Sequence, residues 1–171
     1  TGVMLDNAAD MARAIVPPMD KEQRIKAIKD AQSDCFAVGL TGVTDAGLDI
    51  ETVNLLEELS LSGVLKMKVN AMMNPDEATM DYFIKRGIIE DERLTVRSVK
   101  IYADGALGSR GAKLIEPYTD APESTGLITA DTSFYHNVCK KALEAGLQVC
   151  THAIGDGGVR MTLEFYSDYL N

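Results

Sequence analysis

The sequence lacks most of the signals that announce small-protein chemistry. Its three cysteines, Cys35, Cys139 and Cys150, are scattered, odd in number and never in CxxC spacing. That excludes a disulfide scaffold and a zinc finger and leaves reduced, mostly buried thiols. No Lys/Arg-rich stretch occurs in a chain of formal net charge −9, so nucleic acid and anionic membranes are poor partners and the acidity marks only a solvated surface. No apolar run reaches membrane-spanning length, and Thr1 to Asn7 is not a basic-then-apolar leader. The expected localisation is cytoplasmic. A G-x-S-x-G elbow, an HExxH helix and a Walker-type Gly-Lys-Ser/Thr ending are all missing.

What is there is ordinary globular material. The chain has 171 residues, 46% hydrophobic and 25% charged, enough for one domain with a real core. No low-complexity linker or short repeat interrupts it.

Punctuation along the chain divides it into alternating elements. Residues 6–16 and 20–38 read as helices, the second with Asp20 as N-cap, Gln23 three residues on, and Ile25, Ile28, Ala31, Cys35 and Val38 at helical spacing. Gly42 to Gly47 is a short strand-like run, and Asp49 caps a helix facing inward through Val53, Leu56 and Leu59. Leu65 to Met73 alternates as a strand. Asn74-Pro75-Asp76-Glu77 then predicts a helix with Asn74 as N-cap and Pro75 at its first position, facing inward through Met80, Phe83 and Ile84. A strand over 94–104, a long loop over 105–130, a helix over 131–145 and a strand over 147–153 follow. The last helix starts near Gly157, with Val159, Leu163, Tyr166 and Leu170 on one face. Strand–helix alternation of this kind predicts an α/β fold with parallel strands joined by crossover helices, either doubly wound or closed as a barrel.

In both architectures chemistry gathers at the carboxyl ends of strands. Period-two alternation puts Val99, Ile101 and Ala103 on one face of the third strand and Ser98, Lys100, Tyr102 and Asp104 on the other. A lysine in such a row is either one half of a structural ion pair or an amine whose burial lowers its pKa for nucleophilic or carbamate chemistry. His152 ends the fourth strand, where it serves as a metal ligand, an acid/base or a hydrogen-bonded structural residue. Asp104 and Asp156, each just past a strand, are candidate general acids or bases and equally candidate turn caps. The Gly105–Gly111 loop presents Arg110 to a substrate, with a phosphate cradle as the weaker reading. His136, in a helix, reads as surface.

The run Val99-Lys100-Ile101-Tyr102-Ala103-Asp104-Gly105-Ala106-Leu107-Gly108-Ser109-Arg110-Gly111-Ala112, with Glu116-Pro117-Tyr118 after it, closely resembles the VK-[LIF]-x-x-DGALGSRGA…PY signature of the YtcJ-like branch of the amidohydrolase superfamily, amidohydrolase family 3. His152-Ala153-Ile154-Gly155-Asp156 is similar to that family's HAIGD block, and the Gly-Leu-Thr-Gly-Val-Thr-Asp run at 39–45 also looks similar. One departure stands out: Gly157-Gly158-Val159 replaces the Arg-Ala-Asn type continuation, which puts a substrate contact there in doubt.

The resemblance implies a TIM (β/α)₈ barrel with a small flanking β-sandwich. Its metal site is built from an HxH pair after strand 1, a carboxylated lysine on strand 4, histidines on strands 5 and 6 and an aspartate on strand 8. Carried over, Lys100 matches the strand-4 lysine and His152 the strand-5 histidine. The chain, 1–171, is then a partial barrel, roughly strands 2 to 5 with their helices, since a whole barrel needs about 250 residues. The implied chemistry is metal-dependent hydrolysis of a C–N, amide-type bond in a small-molecule substrate, with one or two divalent ions, zinc above all. In that scheme the strand-8 aspartate is the usual general base. Asp104 and Asp156, the candidate catalytic residues, line the substrate cavity with Arg110, and Arg110 and Tyr102 are the expected substrate contacts. A piece holding two ligands is expected to be inactive alone and to self-associate through exposed strand edges. The alternative is a non-catalytic or anion-binding α/β module using the Gly105–Gly111 loop.

Overall fold

The computed structural model describes residues 2–4 and 7–169; residue 6 of the first expected helix and Leu170 of the last lie outside the described residues. The elements run α1 (Asn7–Arg13), α2 (Lys21–Ala37), β1 (Gly42–Leu48), α3 (Ile50–Leu61), β2 (Lys68–Met73), α4 (Glu77–Arg86), β3 (Ile89–Glu90), β4 (Leu94–Tyr102), α5 (Thr132–Glu144), β5 (Gln148–His152) and α6 (Asp156–Ser167). They fall into two compact units. One comprises Met19–Ile101 and Lys140–Cys150; the other comprises Thr1–Pro18, Tyr102–Cys139 and Thr151–Asn171.

The first unit is the sheet and its helices. Capping starts each helix: Asp20 and Gln23 form a reciprocal capping box on α2, and Asp49 accepts the Thr52 amide at 2.7 Å on α3. On α4 the cap is Asp76, whose carboxylate accepts the Thr79 amide at 3.0 Å. The expected start at Asn74 and Pro75 is therefore two residues early, because Asp76 offers the competing and better-placed acceptor.

β1 pairs parallel with β2, β2 pairs parallel with β4, and β5 joins β4. Each long strand thus lies beside its predecessor in the chain. That sequential order is how a barrel wall grows, whereas a doubly wound sheet reverses direction at a switch point. Short β3 pairs antiparallel with the start of β4, Ile89 opposite Val96. Two residues are too few for a periodicity to reveal it.

The register between β2 and β4 slips once: Ala71 faces Val96, but Met72 faces Ser98. Arg97 is the extra residue, a bulge that resets which positions point inward. Before it Leu94 and Val96 are buried; after it Val99 and Ile101 are. The bulge thereby sets the face on which Lys100 sits. Val53, Leu56 and Leu59 of α3 and Met80 and Phe83 of α4 complete the core with Val69, Ala71 and Met73 of β2, and Ile84 is only half-buried. None of the α2 residues is buried, so its expected inward stripe is not an interior face here.

The second unit is built around the long connection from β4 to α5 and the start of α6. Its aromatic centre is Tyr135 stacked on Phe165, ring centroids 5.2 Å apart at an interplanar angle of 2°. α6 packs through Gly158, Thr162 and Phe165, while Val159 and Leu163 are exposed. The expected Val159/Leu163 face is thus rotated by one position. The stack on Tyr135 and the closeness of Gly158 to Asp104 decide which stripe turns in.

Candidate active site

Lys100 lies in β4 of the first unit, half-buried, with its Nζ donating to the Ile101 carbonyl at 3.2 Å. Burial holds its ammonium below the ordinary lysine range, opposed in part by the nearby Cys150 thiol. The same burial, partly offset by Ser98 and Lys100, pushes the Cys150 thiol up.

In the second unit Tyr102, Asp104 and His152 come together. The His152 Nε2 is 3.8 Å from Asp104 Oδ1, and the His152 ring centroid is 5.5 Å from that of half-exposed Tyr102. At 3.8 Å the Asp104–His152 pair is too far apart for a hydrogen bond. The His152 main chain is pinned, because its carbonyl accepts the Ala103 amide at 2.8 Å. The imidazole side chain is 31% exposed, so it presents an edge to incoming groups.

The carboxylate of Asp104 has no exposed surface. It accepts three backbone amides: Ile154 on Oδ1 at 2.9 Å, and Lys113 and Gly155 on Oδ2 at 2.8 Å each. Such a group does not meet a substrate, and of its two sequence readings the geometry favours the anchor. It also lies beyond the end of β4. Asp156 is exposed at the start of α6, and its Oδ1 accepts the amides of Ile115 and Gly157, both at 2.9 Å.

Three glycines make this joint possible. A Cβ on Gly155 would stand 1.9 Å from the Lys113 carbonyl oxygen, one on Gly157 would stand 3.0 Å from it, and one on Gly158 would stand 2.6 Å from Asp104 Oδ2. The Gly157-Gly158 departure from the family pattern therefore has a steric reading: it lets the chain after β4 press against the first turn of α6. Sequence reasoning did not find this joint. Its only signal was the glycine pair itself.

Arg110 closes a 3₁₀ turn (Leu107–Ser109) in the left-handed conformation, φ 58°, the only such non-glycine among the described residues. Its guanidinium meets Asp120 at 3.0 Å, and each partner holds the other in its charged form. The two line a cavity of about 610 Å³ with Leu107, Leu114, Pro117 and Tyr118. The His136 side chain is 35% exposed, and its Nδ1 lies 3.1 Å from the Tyr169 hydroxyl.

A neutral imidazole such as that of His152, and a lysine such as Lys100 once converted to its carbamate, are side chains of ligand type; among the described residues no group of three His, Cys, Asp or Glu side chains could hold an ion.

A Bacillus subtilis protein named as an amidohydrolase, YtcJ, is 30% identical over 161 residues, covering 91% of this chain and 30% of its own length. An N-substituted formamide deformylase of Arthrobacter pascens is 22% identical over 177 residues, 97% of this chain and 32% of that enzyme. Among solved structures, an uncharacterised metal-dependent hydrolase of Pyrococcus horikoshii superposes with a TM-score of 0.87 at 28% identity over 95% of this chain and 34% of that one. A Pyrococcus furiosus metal-dependent hydrolase gives 0.86 at 30% identity, covering 95% and 35%. The chain thus spans about a third of the length of these relatives, and its fold is the corresponding part of their α/β barrel. The model of the amidohydrolase family matches residues 1–169, and the chain belongs to that family.

Proposed function

We propose that this chain forms part of the active site of a metal-dependent hydrolase acting on C–N, amide-type bonds of small molecules. The observation that carries this reading is Lys100: a half-buried strand lysine held below its ordinary pKa, standing in the VK…DGALGSRGA block of an amidohydrolase-family chain. Lys100, as its carbamate, and His152 would hold the metal, with zinc the proposed ion. A bound divalent ion supplies a Lewis acid and a water that ionises near neutral pH.

The chain's own groups supply the rest. Burial of Lys100 lowers the cost of removing its proton, which carbamate formation on Nζ requires. The exposed edge of His152 and the half-exposed Tyr102 ring beside it form a wall against which a substrate packs. Arg110, oriented by Asp120, offers a charged donor at the cavity rim. The acid–base role falls to Asp156, which is exposed, since the Asp104 carboxylate is fully enclosed.

With two ligands, the 171-residue chain by itself is proposed to be inactive. The native gene product, incubated with a panel of N-substituted amides and formamides plus zinc, is expected to hydrolyse at least one of them. Chelation, Lys100→Ala and His152→Ala are each expected to abolish turnover. Chelator-resistant activity that survives both substitutions would defeat the reading, and full activity from the 171-residue chain alone would defeat the inactivity proposal.

A further inference from the structure

Asp104 is a buried charge that the hydrolytic reading leaves without a task. Its three donors come from two separate segments. Lys113 follows β4, whereas Ile154 and Gly155 follow β5. The carboxylate therefore clasps the loop after one strand to the loop after the next. A second set of contacts runs alongside. Gly158 donates its amide to the Lys113 carbonyl at 3.0 Å, and Ile115 donates to Asp156 at 2.9 Å. Leu114 donates to Thr125 at 2.8 Å, fastening the same segment from its other side.

The clasp closes around His152. Its carbonyl is held by the Ala103 amide, one residue before Asp104. Two and three residues further on, the amides of Ile154 and Gly155 are held by Asp104 itself. A residue whose carbonyl and following segment are both fastened to one neighbouring dipeptide has less freedom in its Cα–Cβ direction. Asp104 Oδ1, 3.8 Å from Nε2, then faces the ring that the backbone has aimed. Charge-assisted amide–carboxylate bonds are the strong kind, and a buried anion with three donors is costly to disturb.

We propose that Asp104 is a positioning residue: its carboxylate fixes the His152 imidazole by clasping the segments after β4 and β5, with Gly158 as the space that admits it. What His152 is positioned to do rests on the hydrolase reading; the clasp does not. The proposal separates Asp104 from the acid–base group, and it gives the Gly157-Gly158 pair a function in place of a lost side-chain contact.

The test is by NMR on the ¹⁵N,¹³C-labelled protein. In the wild type, couplings across hydrogen bonds are expected from the Lys113, Ile154 and Gly155 amides to the Asp104 carboxylate carbon. In Asp104→Asn those three amides are expected to exchange with solvent roughly ten- to a hundredfold faster, the scale of a lost charge-assisted bond. The His152 ring resonances are expected to move at fixed pH, while amides of β2 stay unchanged. Gly158→Ala leaves the carboxylate chemically intact and improves helix propensity, yet it is expected to give the same signature. Gly108→Ala, with nothing within 4 Å of its Cβ, is expected to give none.

Absent couplings in the wild type overturn the proposal whatever the variants do. Faster exchange with an unmoved His152 ring overturns the positioning role and leaves only a structural clasp. If Asp104→Asn does not fold, Gly158→Ala and the wild-type couplings decide. A wild type without hydrolase activity would sink the hydrolase reading and leave these outcomes standing.

Discussion

At the residue scale, two kinds of information were available, and only one could be read from the sequence. Strand alternation places Lys100 on the polar face of β4, and the structure keeps it there, half-buried. The task of Asp104 was not legible. Its partners lie 9, 50 and 51 residues away, and no local pattern encodes three amides converging from two loops. Glycine is the residue-scale probe of that joint. Gly155 has an ordinary φ of −70°, so only space forbids a side chain. Gly155→Ala is expected to cost about 2–3 kcal/mol, the scale of overpacking, whereas Gly108→Ala should stay within about 0.5 kcal/mol; urea unfolding compares them. Cys139 offers a second check. Burial raises its thiol to about 11, so the folded state keeps a proton that the unfolded chain releases near pH 9. Its contribution is therefore complete below pH 9 and is lost as pH rises through about 11. At pH 11 the wild type should have lost about 2 kcal/mol through this group. Cys139→Ala should show a correspondingly flatter decline between pH 8 and 11 in urea titrations.

At the scale of elements, punctuation was reliable and orientation was not. The capping box at Asp20 and Gln23, the cap at Asp49 and glycine at the ends of helices are local signals, and each marks a boundary close to the observed one. Which stripe of α6 turns inward is a tertiary decision. Leu163 and Phe165 sit on neighbouring stripes, and periodicity alone favoured the one bearing Val159 and Leu163. The stack of Phe165 on Tyr135 selects the other. Phe165→Ala is accordingly expected to cost about 3–5 kcal/mol, while Leu163→Ala, at a side chain 62% exposed, should change stability by less than about 0.5 kcal/mol. Equal costs in thermal or urea unfolding would mean that the helix is rotated from its place here. The β4 bulge at Arg97 belongs to the same class of hidden feature. It moves the inward positions by one without altering the composition of the strand.

At the scale of the whole molecule, the strand–helix alternation left two architectures open, and the order β1-β2-β4-β5 selects the barrel wall. The long block from Val99 to Ala112 and the HAIGD block carried the family assignment, and the family model and the superposed hydrolases bear it out. The metal site was legible only as far as Lys100 and His152, because the other donors expected for such a site have no counterpart in this chain. The central claim is that these two residues are metal ligands, and metal content tests it most directly. Elemental analysis of the purified native gene product is predicted to find divalent metal bound to the wild type and to His136→Ala. It is predicted to find at least roughly tenfold weaker retention in both Lys100→Ala and His152→Ala. Undiminished metal in those two variants, or a wild type that binds none when supplied with zinc, would contradict the account.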